Sequence, residues 1–125
     1  MPTWDEYKEI ARERGALAFE LYVIESIPIA KVEELQKTLP AHLAYQKKLE
    51  NEGKIFIAGP TSDSSGTIMP GSGMMIYRAS SLQQAREWAD SDPMHSQSVR
   101  SYTVRKWLVN ECDPAITSTM KKMRE

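Results

Sequence analysis

The sequence predicts an α+β fold, on two observations. Four runs are rich in β-branched, aromatic and aliphatic residues, and the first three meet glycine or proline at one end or both. Amphipathic helical stretches separate the first run from the second and the third from the fourth. The resulting order, βαββαβ, is the split-βαβ or ferredoxin-like pattern: an antiparallel four-stranded sheet with both helices on one face. A further helix is expected at each end of the chain.

Thr3 and Glu6 have capping-box spacing at the start of the first helix. Trp4, Tyr7, Ile10 and Ala11 fall on one stripe, and Gly15 is placed to end it. Residues 16–24 read as a strand that Ile27-Pro28 breaks. Residues 30–53 read as helix in two pieces. Val32, Leu35 and Leu39 make a stripe in the first piece. Proline is tolerated in a first turn, so the helix is expected to restart at Pro40 with Thr38 as its cap. His42, Leu43, Gln46 and Leu49 then form an inward arc, and Gly53 is the stop. Residues 54–58 are a second strand closed by Gly59-Pro60, and 61–71 are loop. Residues 74–79 are a third strand. Ser80 or Ser81 caps a helix bearing Leu82, Ala85, Trp88 and Ala89, and Asp92-Pro93 ends that unit. Residues 99–109 form the fourth strand. Asp113-Pro114 opens a last helix with Ile116, Met120 and Met123, whose basic run through Arg124 is its wet face.

A length of 125 residues argues for one domain, 1–125. Sixteen basic against seventeen acidic side chains give a net charge of −1, which argues against a nucleic-acid partner held by bulk positive charge. The single cysteine, Cys112, excludes an intrachain disulfide and cannot alone form a thiolate metal site. No apolar run approaches the roughly 18 residues of a membrane span, and the N-terminus lacks a secretory signal. A cytoplasmic protein with no membrane partner is expected.

A sheet covered on one face should alternate apolar and polar residues, and these strands do so poorly. Phe19, Leu21 and Val23 oppose Ala18, Tyr22 and Ile24. Ile55 and Ile57 oppose Phe56 and Ala58, and Met74 and Ile76 oppose Met75 and Tyr77. Two helices cover one side, which leaves an apolar patch. A homodimer packing sheet against sheet is the expected solution; the competing one folds the terminal helices over the open face.

Two histidines, His42 and His95, limit the candidates for chemistry. At ~100° per residue, His42 lies beside Leu39 and Leu43. A carboxylate on one ring nitrogen would fix the tautomer and leave the other as a general base or acid; a core histidine satisfied by a backbone carbonyl is an equal reading. Asp92 before Pro93 is a good N-cap, and its two oxygens allow a second role. His95 is a pocket residue or a solvated loop side chain. Gly59-Pro60 and Gly71-Ser72-Gly73 offer bare backbone for a turn or a close ligand approach. Walker, nucleophile-elbow and His-Glu-x-x-His patterns are absent. His42, His95, Asp92 and Cys112 show no short ligand spacing, so no metal is expected.

Pro40-Ala41-His42-Leu43-Ala44-Tyr45, Gly53, Ala58-Gly59-Pro60, Ala85 and Asp92-Pro93-Met94-His95, with the closing stretch 104–111, together resemble the YCII-related family in order and spacing. The likeness covers a core of roughly residues 17–111. The resemblance implies a dimeric α/β-barrel and a pocket where a helix histidine meets the aspartate of the Asp-Pro turn, here His42 and Asp92. Related barrels include lactone isomerases and dehydrochlorinases of ring compounds. Leu39 stands where many relatives have an arginine, so the resemblance does not extend to an anchor for an anionic substrate at that position.

Residues and resemblance together point to a small enzyme without a cofactor, of isomerase or lyase type, acting on a cyclic or enolisable molecule. His42 shuttles a proton and Asp92 orients it. Tyr45 and His95 bind oxygen substituents, Gly59, Pro60, Ser72 and Gly73 line the pocket, and backbone N–H groups near Gly59 and Gly73 stabilise a developing oxyanion. The alternative is a non-catalytic module of the same family that binds a small molecule or dimerises. A cofactor-using monooxygenase is a third, weaker reading.

Overall fold

In the computed structural model the described residues are 1–124. The elements run α1 (Trp4–Glu13), β1 (Phe19–Pro28), α2 (Val32–Asn51), β2 (Ile55–Pro60), β3 (Gly73–Tyr77), α3 (Leu82–Asp90), α4 (Pro93–Ser96), β4 (Arg100–Val109) and α5 (Pro114–Arg124). The sheet order is β2-β3-β1-β4, the ferredoxin-like arrangement expected from the sequence. β1 and β3 pair antiparallel from Tyr22 opposite Tyr77 to Ser26 opposite Gly73. β2 and β3 pair antiparallel from Ile55 opposite Tyr77 to Pro60 opposite Gly73.

The chain divides into two compact units: Met1–Leu21 with the chain from Trp107 onward, and Tyr22–Lys106. In the second unit Tyr22, Ile24, Met75 and Tyr77 from the sheet bury against Leu49 of α2 and Ala85 and Ala89 of α3. Burying each large apolar side chain there contributes about 1.5–3 kcal/mol. Ala85 and Ala89 are small and four apart, so α3 approaches the sheet closely; Ser81 caps it by accepting from the Gln84 N–H at 3.0 Å.

In the first unit Ala11, Ala18 and Leu108 form a core flanked by Trp4, Tyr7 and Ala16. Thr3 Oγ1 accepts from the Glu6 N–H at 3.1 Å, the hydroxyl half of the expected capping box. Gly15 at φ +87° ends α1 in a conformation that side chains disfavour. Glu20 accepts from Trp4 Nε1 at 2.7 Å and from Lys8 Nζ at 3.3 Å. Met120 of α5 is buried, Lys121 and Lys122 are exposed, and the Arg124 side chain lies outside the described residues.

Four expectations need correction. β1 does not stop before Ile27-Pro28 but continues through them, because Ile24, Glu25, Ser26 and Ile27 alternate buried and exposed as one strand. Gly59, Pro60 and Gly73 likewise lie within β2 and β3 rather than in flanking turns. α2 does not restart at Pro40; one helix runs straight through it. Thr38 is therefore not an N-cap: its hydroxyl donates back to the Glu34 carbonyl at 2.9 Å, inside the same helix. Finally, Ile55 and Ile57 do not share a face. They oppose the adjacent residues Tyr77 and Ile76, so Phe56 is an extra residue, a β-bulge that turns Ile57 to the opposite side from Ile55.

Candidate active site

Along α2 the residues Leu35, Leu39, His42, Leu43 and Gln46 share one stripe, and they line a cavity of about 400 Å³ within the Tyr22–Lys106 unit. Three residues of the expected inward arc, His42, Leu43 and Gln46, thus face a hollow while Leu49 packs in the core, and Leu43 remains 55% exposed. A concave, mostly apolar space of this size suits a small organic ligand. The opposite wall comes from Gly59 and Pro60 of β2, Ser72, and Gly73 and Met75 of β3. Four of the seven methionines, Met69, Met74, Met75 and Met94, contribute polarisable and adaptable surface. The loop bearing Met69 is ordered by Asp63, whose carboxylate accepts from the Ser65 N–H at 3.0 Å and the Ser65 hydroxyl at 2.6 Å; that hydroxyl bond holds its pKa below the usual value.

Asp92 meets His42. The carboxylate is fully buried, and its Oδ1 and Oδ2 accept from His42 Nδ1 at 2.8 and 2.9 Å. Oδ1 also accepts from the Met94 N–H at 3.0 Å, capping α4. The N-cap and the contact with His42 therefore coexist, and the same short helix that needs the cap aims the carboxylate at α2. An ionised carboxylate only accepts, so the imidazole proton sits on Nδ1 and Nε2 carries the lone pair. Gln46, one helical turn on, donates from its amide nitrogen to Nε2 at 3.0 Å, while its Oε1 is buried without a partner. Half a turn of the amide would present that oxygen to a protonated Nε2. Gln46 can therefore partner either protonation state of His42, whose side chain is 15% exposed.

The other sequence candidates divide. Gly59, Pro60, Ser72 and Gly73 line the cavity as expected. Tyr45 and His95 do not. Tyr45 lies on the core side of α2, where its hydroxyl donates to the Trp88 carbonyl at 2.6 Å; burial, then the Asp92 charge, pushes its pKa up to about 12. His95 is spent on structure: Nδ1 donates to the Ala89 carbonyl at 2.7 Å and Nε2 accepts from the Ser26 hydroxyl at 2.8 Å. Burial holds its pKa below the ordinary histidine value, with the Ala89 bond opposing.

Ser26, Gln46 and Arg100 are cavity residues that the sequence reading did not assign to the site. Arg100 Nε donates to Ser26 Oγ and Nη2 to the Ser26 carbonyl, both at 2.8 Å, and Nη2 also reaches the Gly71 carbonyl. Gly71 is needed there: its φ is +97°, and a Cβ would come within 3.1 Å of Pro28. Strand parity was the available signal for Arg100, because it shares a face with Tyr102 and Val104, which pack on the helices. Among the described residues no group of three or more His, Cys, Asp or Glu side chains is placed to hold a metal ion. No described helix is long and apolar enough to cross a membrane.

Fold and site together define a class: a ferredoxin-like α+β protein with a histidine–aspartate pair at the wall of an apolar cavity. Residues 20–108 match the YCII-related domain, and the chain belongs to that family. It is similar to Protein YciI of Escherichia coli O6:H1, with 38% identity over 81 residues, covering 58% of this chain and 80% of the relative. Uncharacterized protein YjpA of Bacillus subtilis is 26% identical over 76 residues, 61% of this chain and 82% of its own. Among solved structures, 5-chloro-2-hydroxyhydroquinone dehydrochlorinase (TftG) from Burkholderia phenoliruptrix AC1100, in complex with 2,5-dihydroxybenzoquinone, superposes with a TM-score of 0.56 at 25% identity. It covers 70% of this chain and 92% of that chain.

Proposed function

We propose that the protein is a small enzyme without a cofactor that moves a proton on a cyclic or enolisable organic molecule, in an isomerisation or elimination. The observation that carries this reading is the pair itself: Asp92 accepts a hydrogen bond from the Nδ1–H of His42 and leaves the basic Nε2 at the cavity wall. His42 abstracts or returns the proton, and Asp92 orients the ring and stabilises the imidazolium as it forms. Elimination from a ring compound is also the reaction named for the similar dehydrochlorinase. A second reading, a binding module without turnover, draws on Gln46, which occupies Nε2. A side-chain amide that itself lines the cavity is displaced more readily than a backbone carbonyl, which favours the enzyme.

The test does not need the product. Phenols, lactones and enolisable acids that raise the melting temperature are incubated with the protein in D2O, and deuterium uptake at carbon is read by NMR. His42→Ala should lower the exchange rate by about 10²–10⁴-fold while the thermal shift persists. Exchange that survives the substitution unchanged removes the proton-transfer reading and leaves the binding module.

We further infer a homodimer through the open sheet face. On that face Ile27 and Ile57 are exposed, beside the Glu25–Arg105 ion pair at 2.7 Å, although Ile76 is buried within a single chain. Sedimentation at micromolar concentration should show two copies; a monomer ends this inference.

A further inference from the structure

The cavity contains a cation to which no carboxylate is bonded among the described residues; burial opposes its charged form, while the Asp92 charge acts on it through space. The three hydrogen bonds of Arg100 go to a hydroxyl and two carbonyls, all neutral, and fix the guanidinium in place. Among the described residues no salt bridge includes it, and Nη1 has no protein partner. Asp92, the buried carboxylate of this region, is committed to His42 and the Met94 N–H. A half-buried charge against methionine and leucine side chains is costly to leave uncompensated. Its anchoring is complete in another sense: Ser26 Oγ, which accepts from Arg100 Nε, donates its own hydrogen bond to His95 Nε2, and His95 is fixed in turn by Ala89. Four residues hold one guanidinium, and its remaining nitrogen is unspent.

We propose that Arg100 is the anchor for an anionic group on the ligand, so that the molecule acted on is an organic anion: a carboxylate, enolate or phenolate on an apolar body. Leu39, on the α2 wall of the same cavity, supplies no charge. The guanidinium instead comes from β4, with its fork geometry suited to two oxygens. The anion at Arg100 and the apolar body against Met75 and Met94 would then orient a carbon acid in the cavity that His42 shares. This substrate class rests on the proton-transfer reading only for the chemistry after binding; the binding itself is independent of it.

The experiment compares benzoate with its neutral isostere benzamide by calorimetry. Wild-type protein should bind benzoate at least about tenfold tighter, the size of one charge-assisted hydrogen bond. Arg100→Gln should bind the two alike, whereas His42→Ala should keep the preference. In the wild type, the Arg100 Nε–H and Nη resonances should move on addition of benzoate and stay still with benzamide, a readout that survives if the variant does not fold. Equal binding of the two probes by wild type, binding of neither, or a preference retained in Arg100→Gln overturns the proposal. A preference that follows Arg100 while deuterium exchange ignores His42 would leave the anchor standing and remove the base; the reverse pattern would do the opposite.

Discussion

The two histidines of this chain are both half-buried, and each has both ring nitrogens engaged. Their partners differ, and the difference decides what each can do. His95 is held by a backbone carbonyl and a hydroxyl, both neutral, and it does not reach the cavity. Burial then favours its uncharged form. His42 has a buried carboxylate on one side and a side-chain amide on the other, at the cavity wall. Its proton can be accepted and returned because something nearby changes with it. Partner chemistry, more than exposure, separates a reactive imidazole from a structural one.

The sharpest way to break this comparison is at Asp92. Asp92→Ala removes the α4 cap and leaves the His42 Nδ1–H buried without an acceptor, and should cost about 2–4 kcal/mol in urea denaturation. Deuterium exchange should fall with it; a variant as stable as wild type would show that the carboxylate holds nothing together. His95→Gln is next, and its signature is a pH dependence. The native pKa of His95 lies below its ordinary 6.5, so the unfolded chain takes up that proton first as pH falls. Its contribution is full above about pH 6.5 and is lost as pH drops through the lower native value. The variant should lose about 1–2 kcal/mol at neutral pH and show a flatter acid limb, with exchange largely kept. An unchanged limb would contradict the assignment of His95 as a buried neutral group.

Gln46→Ala probes the other side of His42. Freeing Nε2 from a neutral hydrogen bond should raise the exchange rate several-fold, roughly the equivalent of 1 kcal/mol. A fall of similar size would instead make Gln46 a positioning residue for the ring. The smallest effect is expected at Tyr45→Phe, which removes the bond to Trp88: about 1 kcal/mol of stability, and no change in exchange.

The order of elements was legible because the first three β-rich runs are punctuated by glycine or proline, and because Ser81 and Asp92 carry their capping chemistry in their identity. So was the meeting of His42 with Asp92, although only the family resemblance named the two as partners. What was hidden depends on phase around an axis. Tyr45 and Gln46 are neighbours in sequence, yet ~100° of helical rotation sends one to the core and the other to the cavity. Arg100 and Arg105 look alike in a strand, but odd and even positions face opposite sides. Pro40 reads as a boundary, and only the packing of Leu49 beyond it shows why the helix continues.

The bulge at Phe56 reaches further than its own strand. Were Phe56 an ordinary paired residue instead of the additional one, strict alternation from Ile55 would put Ile57 and Gly59 on the side now taken by Ala58 and Pro60. A branched isoleucine would then intrude where a methyl group and a flat ring leave room. Deleting Phe56 would remove the bulge and keep Ile57 opposite Ile76, so the roominess of the hollow depends on which residue is the additional one as much as on composition.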